Sequence, residues 1–305
     1  MAGGSKVAVY AAIGGNFTIS IMKFVASFFT GSAAMMSEGI HSLIDTFNGV
    51  LLLHGIKRSN KEPDAKHPFG YGKEIYFWSF VVAIFIFALG GGLAIYEGIE
   101  HLTHPEYGGD ASRIWNYGVL AGAIVVESIS FYLAFREFRK TYPTGFISSI
   151  KKSKDAATFA VMIEDTAALI GLMIALVGVF LADITGNVVF DGSASIAIGV
   201  LLCIVAIFLA RETKGLLVGE SAINVDIDIV NEVISSYTEV KYHGNVRSMH
   251  LGPDQALLAV DVNFWDQTTA GRIEEIVKDA EARIQKKAPH FTQIYLEAID
   301  IQPES

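Results

Sequence analysis

Cysteine is almost absent from this chain, because Cys203 is the only one among 305 residues. One thiol cannot form a disulfide within a single chain, and a cysteine-rich metal site is excluded. Charged residues are also scarce, at 18% of the chain, and they form no basic domain. The sequence therefore predicts neither a secreted protein held by disulfides nor a nucleic-acid partner.

Apolar residues are abundant instead, at 51% of the chain, and they gather in six long runs. Each run has the roughly 20 residues that a helix needs to cross a bilayer. The first run contains Asn16 and Lys23 and lacks a small-residue cleavage site, so we interpret it as a retained span. The runs cover residues 7–29, 33–56, 74–100, 113–135, 156–182 and 188–210. This pattern predicts a polytopic α-helical membrane protein with six transmembrane helices.

Basic residues lie mainly in two connections, between spans 2 and 3 and between spans 4 and 5. They are Lys57, Arg58, Lys61, Lys66 and Lys73 in the first connection, and Arg136, Arg139, Lys140, Lys151, Lys152 and Lys154 in the second. The positive-inside rule places both connections in the cytosol, and six spans then place both termini there. Because the sequence shows no targeting leader and no glycosylation-rich loops, we expect a bacterial inner (plasma) membrane.

The composition changes near residue 213, where the apolar runs end. We therefore divide the chain into a six-helix transmembrane domain, residues 1–212, and a cytosolic domain, residues 213–305. In the second part, VDIDIVNEVISSYTEV predicts a helix, and NVRSMHLGP and QALLAVDVNFW predict two strands around a Gly-Pro turn. TTAGRIEEIVKDAEARIQKKA predicts a second helix, and HFTQIYLEAIDIQP a closing strand. The order α-β-β-α-β is typical of a small two-layer, ferredoxin-like α+β domain.

A polar stripe interrupts the second run, in the stretch SEGIHSLIDTFNG. At 100° per residue, its four polar members lie within about 80° of one another on a helix. They are Glu38, His41, Asp45 and Asn48. Because His41 and Asp45 are four residues apart, their side chains can converge on one divalent transition metal. The alternative is a stripe that only forms hydrogen bonds with neighbouring helices.

The fifth run carries two adjacent carboxylates, Glu164 and Asp165, in the stretch VMIEDTAALIG. Adjacent side chains on a helix point about 100° apart, so we expect one of them to face the second span. We favour Asp165 as the metal ligand, with Glu164 as a ligand, a proton acceptor or the partner of a basic group. The alternative for this pair is a salt bridge, for example to Lys23.

Other polar residues in the runs are less specific. Glu127, in the fourth run, either lines an ion path or pairs with Lys23. Asp183 and Asp191 flank the short connection before the sixth run, where loop or helix-capping roles are more common than metal binding.

The stretch GSAAMMSEGIHSLIDTFNG, followed by DAKHPFGYGKE, resembles the cation diffusion facilitator family. The six spans, the HPFGYGK loop and the terminal α+β domain are similar to that family as well. The resemblance implies a homodimeric carrier that exports a divalent metal, usually zinc, from the cytosol in exchange for protons. It also implies a transport site with two ligand pairs, in which His41 and Asp45 match the first pair and Asp165 matches one member of the second.

The chain departs from the family pattern at Val161, where the family's zinc exporters usually carry His or Asp. Valine cannot coordinate a metal, so we expect Glu164, Asn48 or Glu38 to take that place. In this respect the chain resembles a branch of the family that carries an acidic Glu-Asp pair in the fifth span. Zinc is our first choice, and manganese, iron(II) and cobalt stay open because oxygen ligands favour harder ions.

The resemblance implies two further metal sites. Asp64 and His67 match ligand positions in the loop between spans 2 and 3, where Glu74 is an additional candidate. His243, Asp261 and Glu297 match positions in the cytosolic domain, and His250 and His290 are looser candidates. Alternatively, the loop only packs against the helices and the dimer partner, and the cytosolic domain only holds the dimer together.

Three rival functions stand beside the carrier. A channel needs several weak sites along a continuous pore, which a single His/Asp cluster does not favour. An intramembrane hydrolase would need an activated water, and the chain has no HExxH pattern. A non-transporting scaffold or metal sensor is favoured by the missing ligand at Val161. We expect no enzyme activity and no cofactor.

Overall fold

Within the described residues, six long helices follow one another, and each overlaps one of the predicted apolar runs. The computed structural model describes residues 3–104, 111–141 and 156–300. The third long helix is continuous but changes type, because a π-helical segment, Ile86–Gly91, joins α3 to α4. The helices are α1 Gly3–Thr30, α2 Ala33–Ser59, α3 Glu74–Phe85, α4 Gly92–Thr103, α5 Ala111–Thr141, α6 Ala156–Thr185 and α7 Val189–Val218.

Three stretches within the described residues are long and apolar enough to cross a membrane by length and composition. They are Glu74–Thr103, Phe159–Thr185 and Val189–Val218. Membrane crossing by all six long helices stays a prediction. Lys151, Lys152 and Lys154, which we used for orientation, lie outside the described residues.

Glycines determine two features of the helical part. Gly31 has φ 67° between α1 and α2, and its N–H donates to the carbonyl oxygen of Ser27 at 2.8 Å. Glycine commonly ends helices in this way, since the left-handed region costs it little.

Gly98 on α4 lies so close to α7 that an added Cβ would be 2.7 Å from the carbonyl oxygen of Gly192. Small residues allow this approach of two helix backbones.

The chain forms two compact units. The helical unit contains the described parts of residues 1–57, 75–141 and 156–214, and the sheet unit contains residues 58–74 and 215–300. The sheet unit consists of α8 Asn224–Ser235, β1 Val240–His243, β2 Arg247–Gly252, β3 Gln255–Phe264, α9 Ala270–Lys287 and β4 Phe291–Ala298, together with the 58–74 loop.

The strand β3 is the centre of a four-stranded sheet and pairs with the other three strands. It runs antiparallel to β1, with His243 opposite Val262, and antiparallel to β2. It runs parallel to β4, with Asp261 opposite Glu297. Alternate residues of β3 are buried against α8 and α9. This core includes Ala256, Leu258, Val260, Val262, Val230, Val233, Ile234, Ala280 and Ile284.

The observed order, α-β-β-β-α-β, contains one strand more than the sequence predicted. The predicted helix over 225–240 ends at Ser235, and its last residue begins β1. That strand has four residues, VKYH, which is too short for a recognisable alternation. Its pairing with the far end of β3 stabilises it, and this contact is not visible in the local sequence.

Candidate metal centre

The polar stripe of α2 faces the interior of the helical unit. Glu38 and Asn48 are fully buried, and His41 is 3% exposed. The Nδ1 atom of His41 lies 3.6 Å from Oδ1 of Asp45, one helical turn further on, and the Asp45 side chain is 9% exposed. These two groups therefore lie side by side away from solvent, at the spacing that the sequence predicted.

The helix α6 contacts this stripe through Glu164. The Asn48 side chain donates from Nδ2 to Oε1 of Glu164 at 3.3 Å, and Glu164 is 7% exposed. We favoured Asp165 as the carboxylate that faces the second span, but the direct contact to α2 is made by its neighbour. Asp165 follows Glu164 on the same helix, and its Oδ2 atom is buried.

Several ligand atoms in this region are buried without a hydrogen-bond partner among the described residues. They are Nε2 of His41, Oδ1 of Asp45, Oδ1 of Asn48, Oδ2 of Asp165 and Oε1 of Glu127. A buried lone pair that meets no donor costs free energy, on the order of 1–3 kcal/mol. A bound cation would satisfy such atoms. These atoms, together with the Glu164 carboxylate that Asn48 contacts, are named the buried centre below.

The buried centre is not closed around one point. Within residues 3–104, 111–141 and 156–300, no three His, Cys, Asp or Glu side chains gather closely enough to hold a metal ion. His41 and Asp45 supply a neighbouring pair, and the α6 carboxylates would have to move toward that pair. The arrangement provides the ligand types for a transition metal, nitrogen and carboxylate oxygen, in an open form.

Val161 is the position where the resemblance implies a fourth ligand. Its side chain is 37% exposed, whereas Glu164, three residues later, is buried. Valine offers no donor atom. The nearby buried carboxylate is thus the replacement that the geometry favours.

A second buried ion pair lies at the start of the stripe. Lys23 on α1 is fully buried, and its Nζ atom lies 3.0 Å from Oε2 of Glu38. The same ammonium group donates to Oγ of Ser42 at 2.8 Å. The sequence suggested carboxylates of α5 or α6 as partners of Lys23, and it did not identify Ser42. The signal was present, since Glu38 and Ser42 are four residues apart on one face of α2.

Asp191, on α7, caps the beginning of α2. Its carboxylate accepts hydrogen bonds from the Ser32 hydroxyl at 2.8 Å and from the Ala33 N–H at 2.7 Å. A carboxylate at this place satisfies free N–H groups and the positive end of the helix dipole. The capping role suggested by the sequence is therefore seen, although the capped helix is more than 150 residues away in the chain. His101 lies 3.9 Å from the same carboxylate.

The loop residues Asp64 and His67 are neighbours, with Oδ1 of Asp64 3.6 Å from Nδ1 of His67. The Asp64 carboxylate accepts hydrogen bonds from the Tyr71 hydroxyl at 2.7 Å, from the His67 N–H at 2.8 Å, and from Lys61 and the Lys66 N–H. These donors, with Tyr71 first, hold the pKa of Asp64 well below its usual range. Glu74 is paired with Arg58 at 2.9 Å. The contacts describe an ordered loop, and metal binding there stays a prediction.

The structure does not bring the three proposed ligands of the sheet unit together. Asp261 and Glu297 are opposite each other on β3 and β4. His243 is opposite Val262, and facing residues of paired strands share one side of the sheet. Since side chains alternate along a strand, His243 and Asp261 lie on opposite sides. Asp261 is also paired with Arg247 at 3.2 Å. The three residues are thus not gathered in this arrangement, and a regulatory metal site formed by them stays a prediction.

His250 and His290 stack with ring centroids 6.3 Å apart. His290 also has its Nε2 atom 3.3 Å from Oδ2 of Asp226. These looser candidates therefore form their own pair, separate from His243.

Comparison with known proteins gives a consistent result. Residues 9–218 match the family model described as the cation efflux transmembrane domain. The chain is 36% identical to the mouse proton-coupled zinc antiporter SLC30A9, mitochondrial, over 245 residues, which cover 79% of this chain and 43% of the relative. It is 31% identical to metal tolerance protein C4 of Arabidopsis thaliana over 86% of this chain and 58% of the relative. The chain thus spans about half the length of these relatives.

A further similarity extends over nearly the whole chain. The magnetosome protein MamB of Magnetospira sp. is 24% identical over 301 residues, which cover 92% of this chain and 90% of that protein. This similarity therefore extends beyond residue 218, where the match to the family model ends.

Proposed function

The chain belongs to the cation diffusion facilitator family of cation efflux transporters. On that premise we propose that it exports a divalent metal cation from the cytosol in exchange for protons, and that this ion is zinc. The mouse relative is named a proton-coupled zinc antiporter, which supports both the ion and the coupling. Manganese, iron(II) and cobalt are the alternative ions.

The buried centre is the observation that carries this proposal. It offers His41, Asp45, Glu164 and Asp165 from two helices, with Asn48 between them, and several of their atoms have no other partner among the described residues. Buried charges near the middle of a membrane protein are costly and mark ion paths. Glu38 is not part of the proposed ligand set, because its carboxylate pairs with Lys23.

Proton coupling follows from competition for the same atoms. Imidazole and carboxylate groups bind a metal in their deprotonated forms, so metal binding releases protons. When the centre faces the cytosol, it takes up the ion. When it faces the opposite side, protons replace the metal at the carboxylates and the ion leaves. The open arrangement of the buried centre suits a site that must close on the ion and open again.

We place residues 1–212 in the membrane as six spans and residues 213–305 in the cytosol, with both termini cytosolic. The chain is proposed to act as a homodimer, as the family resemblance implies. The bacterial inner membrane stays a prediction, and the name of the mouse relative refers to mitochondria.

The test is ion uptake by proteoliposomes that carry a pH gradient, with zinc, manganese, iron(II) and cobalt compared. Asp45→Asn, Asp165→Asn and Glu164→Gln should each abolish zinc flux, because each removes a negative ligand without changing side-chain size. Val161→Ala, on the same helix as two of these residues, is the matched control and should transport normally. Saturable, proton-dependent flux would distinguish a carrier from a channel.

A non-transporting metal sensor is the second candidate. It is favoured by Val161 and by the lack of three gathered ligands among the described residues. If wild-type protein binds zinc but moves no ion, the carrier proposal is wrong and the sensor becomes the better assignment. If the three carboxylate variants transport normally, the ion path does not pass through the buried centre.

A further inference from the structure

Lys23 is the one buried lysine or arginine among the side chains that the structure describes. Its ammonium group contacts two acceptors on α2, Oε2 of Glu38 at 3.0 Å and Oγ of Ser42 at 2.8 Å. Both members of the ion pair are 0% exposed. A strongly hydrated ammonium group is buried in a protein interior only where its charge is paired.

The other oxygen of Glu38 is directed toward α6. It has no hydrogen-bond partner among the described residues, and it lies so close to Gly171 that a Cβ there would be 2.5 Å away. Gly171 follows Glu164 on the same helix by seven residues, which is about two turns. The ion pair thus lies where α1, α2 and α6 meet, about one turn from His41 along α2 and about two turns from Glu164 along α6.

Glu38 precedes His41 by three residues, so the two side chains lie on one face of α2. Without Lys23, Glu38 would be one more unpaired carboxylate beside the buried centre. Additional carboxylate oxygens favour harder ions such as manganese, whereas imidazole with few oxygens favours zinc.

From these contacts we infer that Lys23 is a specificity-determining residue: by holding Glu38 in an ion pair, it keeps this carboxylate out of the metal's coordination and favours zinc over manganese. The inference rests on the proposed function, because it assumes that the metal binds in the buried centre. Lys23 itself touches no metal and acts only through Glu38.

The test measures binding rather than transport, so that the two proposals are separated. Zinc and manganese are titrated calorimetrically into the purified full chain in lipid nanodiscs, for wild type, Lys23→Met and the double variant Lys23→Met/Glu38→Gln. In Lys23→Met the freed carboxylate should lower the zinc-to-manganese affinity ratio by about tenfold, the lower end of effects seen when groups around metal ligands are removed. The double variant has no free carboxylate and should regain the wild-type ratio.

An unchanged ratio in folded Lys23→Met would overturn the inference, as would a double variant as altered as the single one. If Lys23→Met does not fold because Glu38 is left unpaired, the double variant decides: a wild-type ratio is the result that the inference requires, and a changed ratio overturns it. A wild type that binds zinc but does not transport it contradicts the proposed transport alone. A wild type without preference between the two ions contradicts the inference alone, and one that binds neither contradicts both.

Discussion

Asn48 on α2 donates a hydrogen bond to Glu164 on α6 over 3.3 Å. Asn48 is fully buried and Glu164 nearly so. This hydrogen bond joins the helix that carries His41 and Asp45 to the helix that carries Glu164 and Asp165. The carboxylate that we propose as a ligand is thus contacted by a neutral amide, which can orient it without cancelling its charge.

Asn48→Ala should weaken zinc binding, because Glu164 loses the donor that orients it toward α2. Loss of a group that positions a metal ligand commonly costs about 10–100-fold in affinity. Calorimetric titration of the purified protein with zinc would measure the change. Val50→Ala is the matched control, since Val50 lies on the same helix and is 50% exposed. Equal zinc affinity in Asn48→Ala and wild type would show that the contact does not position a ligand.

Asp191→Ala should lower the melting temperature of the protein, because the start of α2 loses its cap. The variant leaves the Ala33 N–H and the Ser32 hydroxyl, both buried, without the acceptor they have now. An unsatisfied buried polar group costs about 1–3 kcal/mol. Thermal unfolding followed by intrinsic fluorescence in detergent would detect this loss. Ser193→Ala, an exposed position two residues later on α7, should melt like wild type, and an equal melting temperature for Asp191→Ala would contradict the capping role.

The order of the 58–74 loop should not change between pH 7 and pH 5. The pKa of Asp64 is held below its ordinary value in the folded loop, first by the Tyr71 hydroxyl. For a carboxyl whose folded pKa is lowered, the stabilisation is complete above the ordinary pKa and is lost only as the pH falls through the lower, folded value. Hydrogen exchange of residues 61–73, corrected for intrinsic rates, would test this.

Tyr71→Phe removes that hydroxyl, and it should raise the pKa of Asp64 toward its ordinary range and loosen the loop. Exchange in the loop should then be faster than in wild type at neutral pH. A wild-type loop that loses protection between pH 7 and pH 5 would point to a histidine, and not Asp64, as the titrating group.

If added zinc protects the loop in wild type and not in Asp64→Asn, the loop metal site that the family resemblance implies would be supported.

Gly72→Ala should destabilise the sheet unit, because an added Cβ would lie 2.3 Å from the carbonyl oxygen of Leu251 on β2. The obstacle is backbone and cannot rotate away, so the loop or the strand must shift. Overpacking of this kind costs about 1–3 kcal/mol. Faster hydrogen exchange in β2 and a lower melting temperature are the expected results.

Gly271→Ala is the matched control for that substitution. Gly271 lies in the helix α9 of the same unit, and an added Cβ there would meet no atom within 4 Å. Alanine in a helix is favoured over glycine by about 0.5–1 kcal/mol, so this variant should be slightly more stable than wild type. If Gly72→Ala and Gly271→Ala behave alike, the close approach of the loop to β2 does not contribute to stability.

The helices were largely predictable, because hydropathy and glycine act locally. The run predicted over 33–56 begins α2 at its observed first residue, directly after the turn at Gly31. The run predicted over 156–182 likewise begins with α6. The strand β1 was missed because four residues carry too little pattern, and its existence depends on pairing with a strand twenty residues later.

The candidate site was predictable only within each helix. Helical periodicity placed Glu38, His41 and Asn48 on one buried side of α2. The pairing of helices was not predictable, since the rotation of one helix against another is fixed by packing and not by the polar pattern of either. Lys23 therefore has Glu38 as its partner, Glu164 reaches α2 ahead of Asp165, and Asp191 caps a helix far from it in sequence.

The fully buried ion pair between Lys23 and Glu38 also bears on how the protein enters a membrane during synthesis. A lone charge at the bilayer centre costs at least about 2.5–3.5 kcal/mol on insertion scales. Because the lysine of α1 and the glutamate of α2 form an ion pair, we expect the hairpin of both helices to enter the lipid as one unit.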